Sequence, residues 1–376
     1  MGGNALKDVD VVRLPARLYT VLAERVVARL TDGVLFPGLQ GCAIPALRAK
    51  ADYGDLDVLV SHPVQGWGWN DHAQARLRDA FMATQMVQNG PVVSFDVGVP
   101  PDPQNPEAPA ARFQVDLIQV PSAIFPFALR YYSYNDLGNL LGRVARLHGF
   151  KLGHAGLFRP FRAPGNASHF VRDILVTRDW SAALTFLGYD PDRWAQGFDT
   201  REEMFAFVAN SKAFHPSAFP LEHRSHKARV RDRKRPTYTA FLQWLADRGL
   251  TPSEPLADAT RVVMEGWGLS YALDQFEPFL RAWVQAQTDL QATQVFRARF
   301  NGEAVSRLTG LAGPALGHHM AALRERFDTD QALRVFVREA SEADLATFMR
   351  AGMLPADSHG VPHVGDGSRA AGEESV

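Results

Sequence analysis

Apolar residues recur at helical spacing over residues 12–30, after a Leu-Pro entry, and predict one amphipathic helix. Three short apolar runs follow, at 56–60 (LDVLV), 92–97 (VVSFDV) and 113–120 (FQVDLIQV), rich in Val, Ile and Phe and of strand length. Between the last two lies the proline-rich stretch 99–111, which predicts a solvated hairpin loop. From about residue 134 the period changes. Residues 135–148 predict a helix with Asn and Asp at its start and Gly149 just past its end. A mixed region over 150–222 includes a helix from Thr200, where TREE has the capping-box pattern. Beyond a basic run the chain reads mostly helical to about 350. The small, polar, Pro- and Gly-punctuated residues 353–376 predict a disordered tail. The pattern as a whole predicts an α+β protein: a mixed strand-and-helix part over 1–222, a basic and helical part over 223–352, and the tail. No internal repeat is visible.

Composition narrows the setting. The 376 residues are 46% hydrophobic and 22% charged, which suits a globular chain with a sizeable core. No apolar run approaches the roughly 18–20 residues that cross a bilayer, so no membrane span is expected. The start of the chain turns charged within its first residues and lacks the apolar core of a secretory signal. A single cysteine, Cys42, excludes an internal disulfide framework. A cytoplasmic protein is expected. With 40 basic against 41 acidic residues, any affinity for nucleic acid must come from local charge.

The sharpest chemical feature is the stretch Tyr53-Gly54-Asp55-Leu56-Asp57-Val58-Leu59-Val60. On a strand, Asp55 and Asp57 share one face while Leu56, Val58 and Val60 take the other. Such a pair is either a polar strand edge or a seat for a hard divalent cation, which takes carboxylates and phosphate oxygens together. Asp116 lies inside the apolar run 113–120, where a lone carboxylate is expensive to bury without a partner. If that run lies beside 55–60, three carboxylates converge in the arrangement of two-metal phosphoryl chemistry. Arg48 and Lys50 are within reach of a triphosphate held there.

A basic residue, then Gly-Asp-apolar-Asp before an apolar strand, with a third Asp on a later strand, resembles the polymerase-β-type nucleotidyltransferase superfamily. Within it, the chain is most similar to the family-X DNA polymerases. Tyr131-Tyr132-Ser133, followed by Asn135, Asp136, Asn139 and Arg143, resembles that family's nucleotide-binding Tyr-Phe-Thr-Gly-Ser segment and the helix after it. Residues 147–158 and 199–219 resemble the close of that helix and of the catalytic region, so the likeness spans about residues 12–222.

The resemblance implies a nucleotidyltransferase palm, a mixed sheet with flanking helices. It implies that Asp55 and Asp57 hold two Mg²⁺ ions, with Mn²⁺ able to substitute, and that Asp116 binds the catalytic ion and helps deprotonate a primer 3′-hydroxyl. Arg48 and Lys50 would meet the triphosphate. Tyr131, Tyr132, Asp136 and Asn139 would surround the incoming nucleotide, and Arg143 the nascent pair. Read alone, such tyrosines are more often core aromatics than a sugar gate, Arg143 is a solvated charge, and Asp136 and Asn139 a helix cap. Two departures are plain: the family's glycine after Tyr-Phe-Thr is Tyr134 here, and Gly41-Cys42 lies about three residues too far from the Asp pair to be assigned the phosphate turn. No lyase-type helical part precedes residue 12, so 5′-end processing is not expected.

Residues 223–235 hold seven basic side chains, Arg224, Lys227, Arg229, Arg231, Arg233, Lys234 and Arg235, against one Asp. They read as a nucleic-acid phosphate surface or as a solvated linker. Tyr238 and Trp244 read as core aromatics or base-stacking groups. Further on, Gly310 and Gly313 punctuate Leu-Thr-Gly-Leu-Ala-Gly-Pro before a helix. This is a tight helix–helix corner, or a turn whose N–H groups meet a nucleic-acid phosphate. It resembles an element in the helical part of CCA-adding enzymes. His318 and His319 read as surface or core histidines.

The leading expectation is a Mg²⁺-dependent, DNA-polymerase-like nucleotidyltransferase. It would add nucleotides from a nucleoside triphosphate to a nucleic-acid 3′-hydroxyl, with DNA favoured over RNA as partner. Terminal or tRNA-type addition, a catalytically silent nucleic-acid-binding protein, and transfer to a protein or small molecule are the alternatives.

Overall fold

The computed structural model describes residues 5–163, 169–221, 226–250 and 277–351, without the side chains of Lys227 and Ala228. The expected tail at 353–376 and Arg224 lie outside the described residues, as does the side chain of Lys227. The architecture is α+β, with a mixed sheet in the N-terminal part and a mainly helical C-terminal part. The chain divides into two compact units, Met1–Trp283 and Val284–Val376.

The first unit is built on a five-stranded sheet. In chain order its strands are β2 (Gln40–Ala43), β4 (Asp55–Ser61), β5 (Met86–Asn89), β6 (Val92–Gly98) and β7 (Arg112–Gln119), arranged β2-β4-β7-β6-β5. Only the central pair, β4 and β7, runs parallel. Two short strands, β1 (Leu14–Pro15) and β3 (Asp52–Tyr53), pair beside it. The period-2 pattern decides the faces. Leu56, Val58 and Val60 of β4, Val93, Phe95 and Val97 of β6, and Phe113, Val115 and Leu117 of β7 fill one core. Helix α1 (Ala16–Thr31) covers it with Leu18, Leu22, Val26 and Leu30, and α2 (Asp71–Phe81) adds Ala73 and Leu77. The opposite face of the same strands carries Asp55, Asp57, Ser94, Asp96, Gln114 and Asp116. The proline-rich stretch 99–111 links the antiparallel pair β6–β7 as expected.

Helix α3 (Phe125–Tyr132) turns at Ser133–Asp136 into α4 (Leu137–Leu147). The turn is tight: a Cβ on Gly138 would sit 2.2 Å from the carbonyl oxygen of Tyr131. No backbone atom can yield that far locally, so Gly138→Ala is expected to destabilise the unit by about 3 kcal/mol. Chemical denaturation read by circular dichroism measures it, and an unchanged midpoint would mean that the turn adapts.

After α4 comes a three-stranded antiparallel sheet, β8 (Lys151–Gly153), β9 (Gly156–Arg162) and β10 (Phe170–Thr177), with β9 central. Helices α5 (Trp180–Phe186), α6 (Pro191–Ala195) and α7 (Arg201–Ala209) follow. Thr200 caps α7 by accepting from the Glu203 N–H, and Glu203 reaches back to the Asp199 N–H. The basic run forms α8 (His226–Arg233), and α9 (Pro236–Asp247) packs back on this unit. Phe241 meets Phe205 and Phe219 at ring-centroid distances of 5.1 and 4.9 Å. The fully buried Tyr238 donates its hydroxyl to the Phe219 carbonyl, and Trp244 stacks on Phe241. Both aromatics are packed within the fold.

The second unit contains most of α10 (Glu277–Arg299), then α11 (Gly302–Thr309), α12 (Gly313–Arg324), α13 (Asp330–Glu339) and α14 (Glu342–Arg350). Phe296, Phe300, Val305, Leu323, Leu333, Val337, Leu345 and Met349 form its core. Arg299 ties the end of α13 by donating to the carbonyls of Val337, Arg338 and Ala340. His319 is buried with Nε2 2.7 Å from the Met349 carbonyl, while His318 is exposed. No described helix is long and apolar enough to cross a membrane.

Candidate metal centre

The parallel ladder between β4 and β7 sets Asp57 directly opposite Asp116, with Asp55 two residues along the same face of β4. Carboxylate oxygens from all three lie within 4.8 Å of one another. Three like charges so close, and partly withdrawn from water, repel strongly. Burial, reinforced by the charges of Asp55 and Asp116, pushes Asp57 up to about 7. Burial also raises Asp116, against hydrogen bonds from Ser94 and from Gln114, whose Nε2 lies 2.9 and 3.1 Å from its two oxygens.

A cation is built in nearby. The Lys50 ammonium lies 4.5 Å from the centroid of the Tyr53 ring, which stacks on Tyr19 at 3.7 Å. Burial lowers the Lys50 pKa, and the charges of Asp55 and Asp57 act against that shift. That half-buried ammonium, with Arg13 in the field of Asp55 but paired to Asp52, does not balance three carboxylates. An all-oxygen donor set of this charge could hold a hard divalent cation.

A fourth acid on this face has a different role. Asp96 is fully buried, yet it accepts from the Thr84 and Gln85 N–H groups, the Thr84 hydroxyl and the Arg112 guanidinium. Those bonds hold its pKa below the usual carboxylate range despite burial, the largest influence. Arg112 also donates to the Met82 carbonyl, so the network locks β6, β7 and the end of α2. Asp96→Ala would strand a charged guanidinium and two N–H groups; a loss of about 3 kcal/mol is expected. Equilibrium unfolding tests it, and a wild-type midpoint would show that water replaces the network without penalty.

The other sequence-derived candidates fall into separate places. Arg48 is engaged elsewhere: it pairs with Asp199 and donates to the Gln196 carbonyl at 2.7 Å. Tyr131 lies in the field of Arg231, Arg235 and Asp136, and Arg235 pairs with Asp136. Asp136 stands at the N-cap of α4 without capping it; its carboxylate goes to Arg235. Tyr132 stacks on His154 at 5.7 Å. Asn139 buries its Nδ2 with no hydrogen-bond partner among the described residues. Arg143 is 7% exposed, so it is not a solvated charge. Tyr134 adopts φ +60°, the left-handed region that a glycine there would take freely. Its ring packs between Trp194 and Phe198.

In the basic run, Arg233 and Lys234 are exposed, Arg229 is half-buried, Arg231 leans on Asp232, and Arg235 is taken by Asp136. Gly310 ends α11 at φ +74°, and Gly313 opens α12 at φ +58°. These two glycines form the corner between those helices. In comparisons with known proteins, the chain matches no family model and no curated protein.

Proposed function

We propose that the protein is a divalent-metal-dependent nucleotidyltransferase of the polymerase-β type. It would move a nucleoside monophosphate from a nucleoside triphosphate to a nucleic-acid 3′-hydroxyl, as a family-X-like DNA polymerase does. The observation that carries this reading is the convergence of Asp55, Asp57 and Asp116 across the parallel pair β4–β7. Asp96 shows the contrast: a structural carboxylate on the same face is saturated with donors, whereas Asp57 is left with an elevated pKa.

Asp55, Asp57 and Asp116 would hold the metal, which supplies Lewis-acid activation of the hydroxyl and neutralises phosphate charge. In the transfer the 3′-oxygen bonds to the α-phosphorus, the bond to pyrophosphate breaks, and the hydroxyl proton passes to Asp116. Lys50, fixed by Tyr53, offsets phosphate charge beside Asp55 and Asp57. Gln114 and Ser94 orient Asp116 through their hydrogen bonds. Arg233 and Lys234 offer exposed cations to a nucleic-acid backbone.

Primer extension tests the reading, with dNTPs and NTPs, Mg²⁺ and Mn²⁺, and single-stranded, templated and gapped primers. Metal-dependent extension is expected. Extension of unpaired ends with NTPs alone would move the assignment to terminal addition. Binding without any extension would end the polymerase reading and leave either a nucleic-acid-binding protein or an enzyme whose acceptor is something else.

A further inference from the structure

The Lys50 ammonium near the three carboxylates rests on a support that the five-stranded sheet does not supply. Strand β3 pairs antiparallel with β1, Leu14 opposite Tyr53, which brings Tyr53 beside the start of α1. There Tyr19 stacks on it, with ring centroids 3.7 Å apart and planes 10° from parallel. Lys50 lies over the same Tyr53 ring, 4.5 Å from its centroid. Rings this close leave no room for an ammonium between them, so Tyr19 and Lys50 take opposite faces of Tyr53.

Core packing does not account for this arrangement. Leu18, Leu22, Val26 and Leu30 carry the buried face of α1, whereas Tyr19 is half-buried at its margin. Its edge contact with Phe113, 6.4 Å between centroids, is one that an aliphatic side chain would fill as well. Face-to-face stacking is different. It brings two negative ring faces together, and an ammonium over the outer face relieves that repulsion. The stack also stands at the metal centre. Burial raises the pKa of the Tyr19 hydroxyl, and the charges of Asp57, Tyr53 and Asp55 add to the shift, so Tyr19 stays a neutral phenol. Burial lowers the pKa of Lys50, and the same two aspartates act against it.

We infer that Tyr19 is a positioning residue: through Tyr53 it holds the Lys50 ammonium where the phosphates of a metal-bound nucleoside triphosphate arrive, an inference that rests on the nucleotidyltransferase reading. The flexible stem of a lysine loses its freedom when the ammonium meets a phosphate. The ring stack imposes that loss on folding, before substrate binds, and so raises affinity for the triphosphate. Arg13, also in the field of Asp55, is held by Asp52 instead. The role of Tyr19 needs no contact with substrate or metal. Its effect passes through Lys50 and vanishes when that ammonium is removed.

The test is a double-mutant cycle in steady-state primer extension at saturating Mg²⁺, with Tyr19→Leu, Lys50→Met and the double variant. Tyr19→Leu should raise KM for the triphosphate about fivefold, with kcat within about twofold of wild type. In the Lys50→Met background it should do nothing further. Tyr19→Phe, which keeps the stacked ring, should restore the KM. A second readout needs no turnover: the ε-methylene resonances of Lys50, one of six lysines, assigned with Lys50→Arg in isotope-labelled protein. Ring current should hold them upfield in wild type and in Tyr19→Phe, and Tyr19→Leu should release them. Tyr19→Met takes the place of Tyr19→Leu if circular dichroism shows the leucine variant unfolded. An equal rise in KM with and without Lys50, or Lys50 resonances that stay upfield without the Tyr19 ring, overturns the positioning role; extension by wild type in the same assay keeps the nucleotidyltransferase reading. If wild type neither extends primer nor binds Mg²⁺–dATP by calorimetry, both fall.

Discussion

Asp57→Asn is expected to abolish metal-dependent nucleotidyl transfer, lowering kcat by about 10³-fold or more. A factor of 10³ corresponds to roughly 4 kcal/mol of transition-state stabilisation, within reach of one charged ligand at a phosphoryl-transfer centre. The same substitution should make the metal-free protein more stable at neutral pH. In wild type the carboxylate is held where burial and two neighbouring aspartates disfavour its charge; an amide of the same shape carries none. Loss of activity joined to a gain in stability is the mark of a group kept for function. Asp55→Asn and Asp116→Asn should also lose activity. Lys50→Met should cost less, since it removes one balancing charge and leaves the donor set intact. Steady-state extension kinetics and thermal melts in EDTA decide the matter. An Asp57→Asn protein that is active, or inactive because it is unfolded, would remove the basis for the metal centre.

The carboxylates were readable because alternation on a strand is a strong constraint. Leu56, Val58 and Val60 had to enter the core, so Asp55 and Asp57 had to share the other face. The helices at 16–31 and 137–147 and the cap at Thr200 followed from apolar spacing and capping residues. The parallel pairing of β4 with β7 could not be read locally, because β5 and β6 intervene in sequence and lie to one side in space. Sequence proximity also misleads for Arg48. Its backbone is near Asp55 in sequence, but its side chain pairs with Asp199, 151 residues away.

Strand β2 is not legible locally because Leu-Gln-Gly-Cys shows no alternation, as suits a short edge strand. The sheet β8–β10 is hidden in the sequence for a similar reason. Gly153, Gly156 and Pro160 interrupt it, and Arg159, Arg162 and Arg172 break its apolar pattern. Asp96 and Arg112 were legible only as a strand acid and a nearby base. Their pairing depends on the β6–β7 register, which a long proline-rich connection does not set.

Metal and pH should act on stability through the same carboxylate. Asp57 titrates near 3.8 in an unfolded chain and is pushed up to about 7 in the fold. Between those values the folded state binds more protons than the unfolded state, so this group's contribution to stability declines as pH rises from about 4 to 7 and is flat above. The displacement corresponds to roughly 4 kcal/mol as an upper bound. Asp116 and Asp136, also raised, act in the same direction. His148, His154 and His215 oppose them: burial lowers their pKa values, so their contributions rise with pH as the unfolded imidazoles lose their protons. Asp96, with a lowered pKa, matters only at the acid end of the window. The informative quantity is therefore the difference between wild type and Asp57→Asn, in which the other groups largely cancel. In EDTA that difference should move against wild type from pH 5 to pH 8. In Mg²⁺ it should shrink or reverse, because a cation bound only by the folded state adds RT ln(1 + [Mg²⁺]/Kd) and meets less proton competition at pH 8. Equal Mg²⁺ stabilisation of both proteins at pH 8 would mean that the cation binds elsewhere.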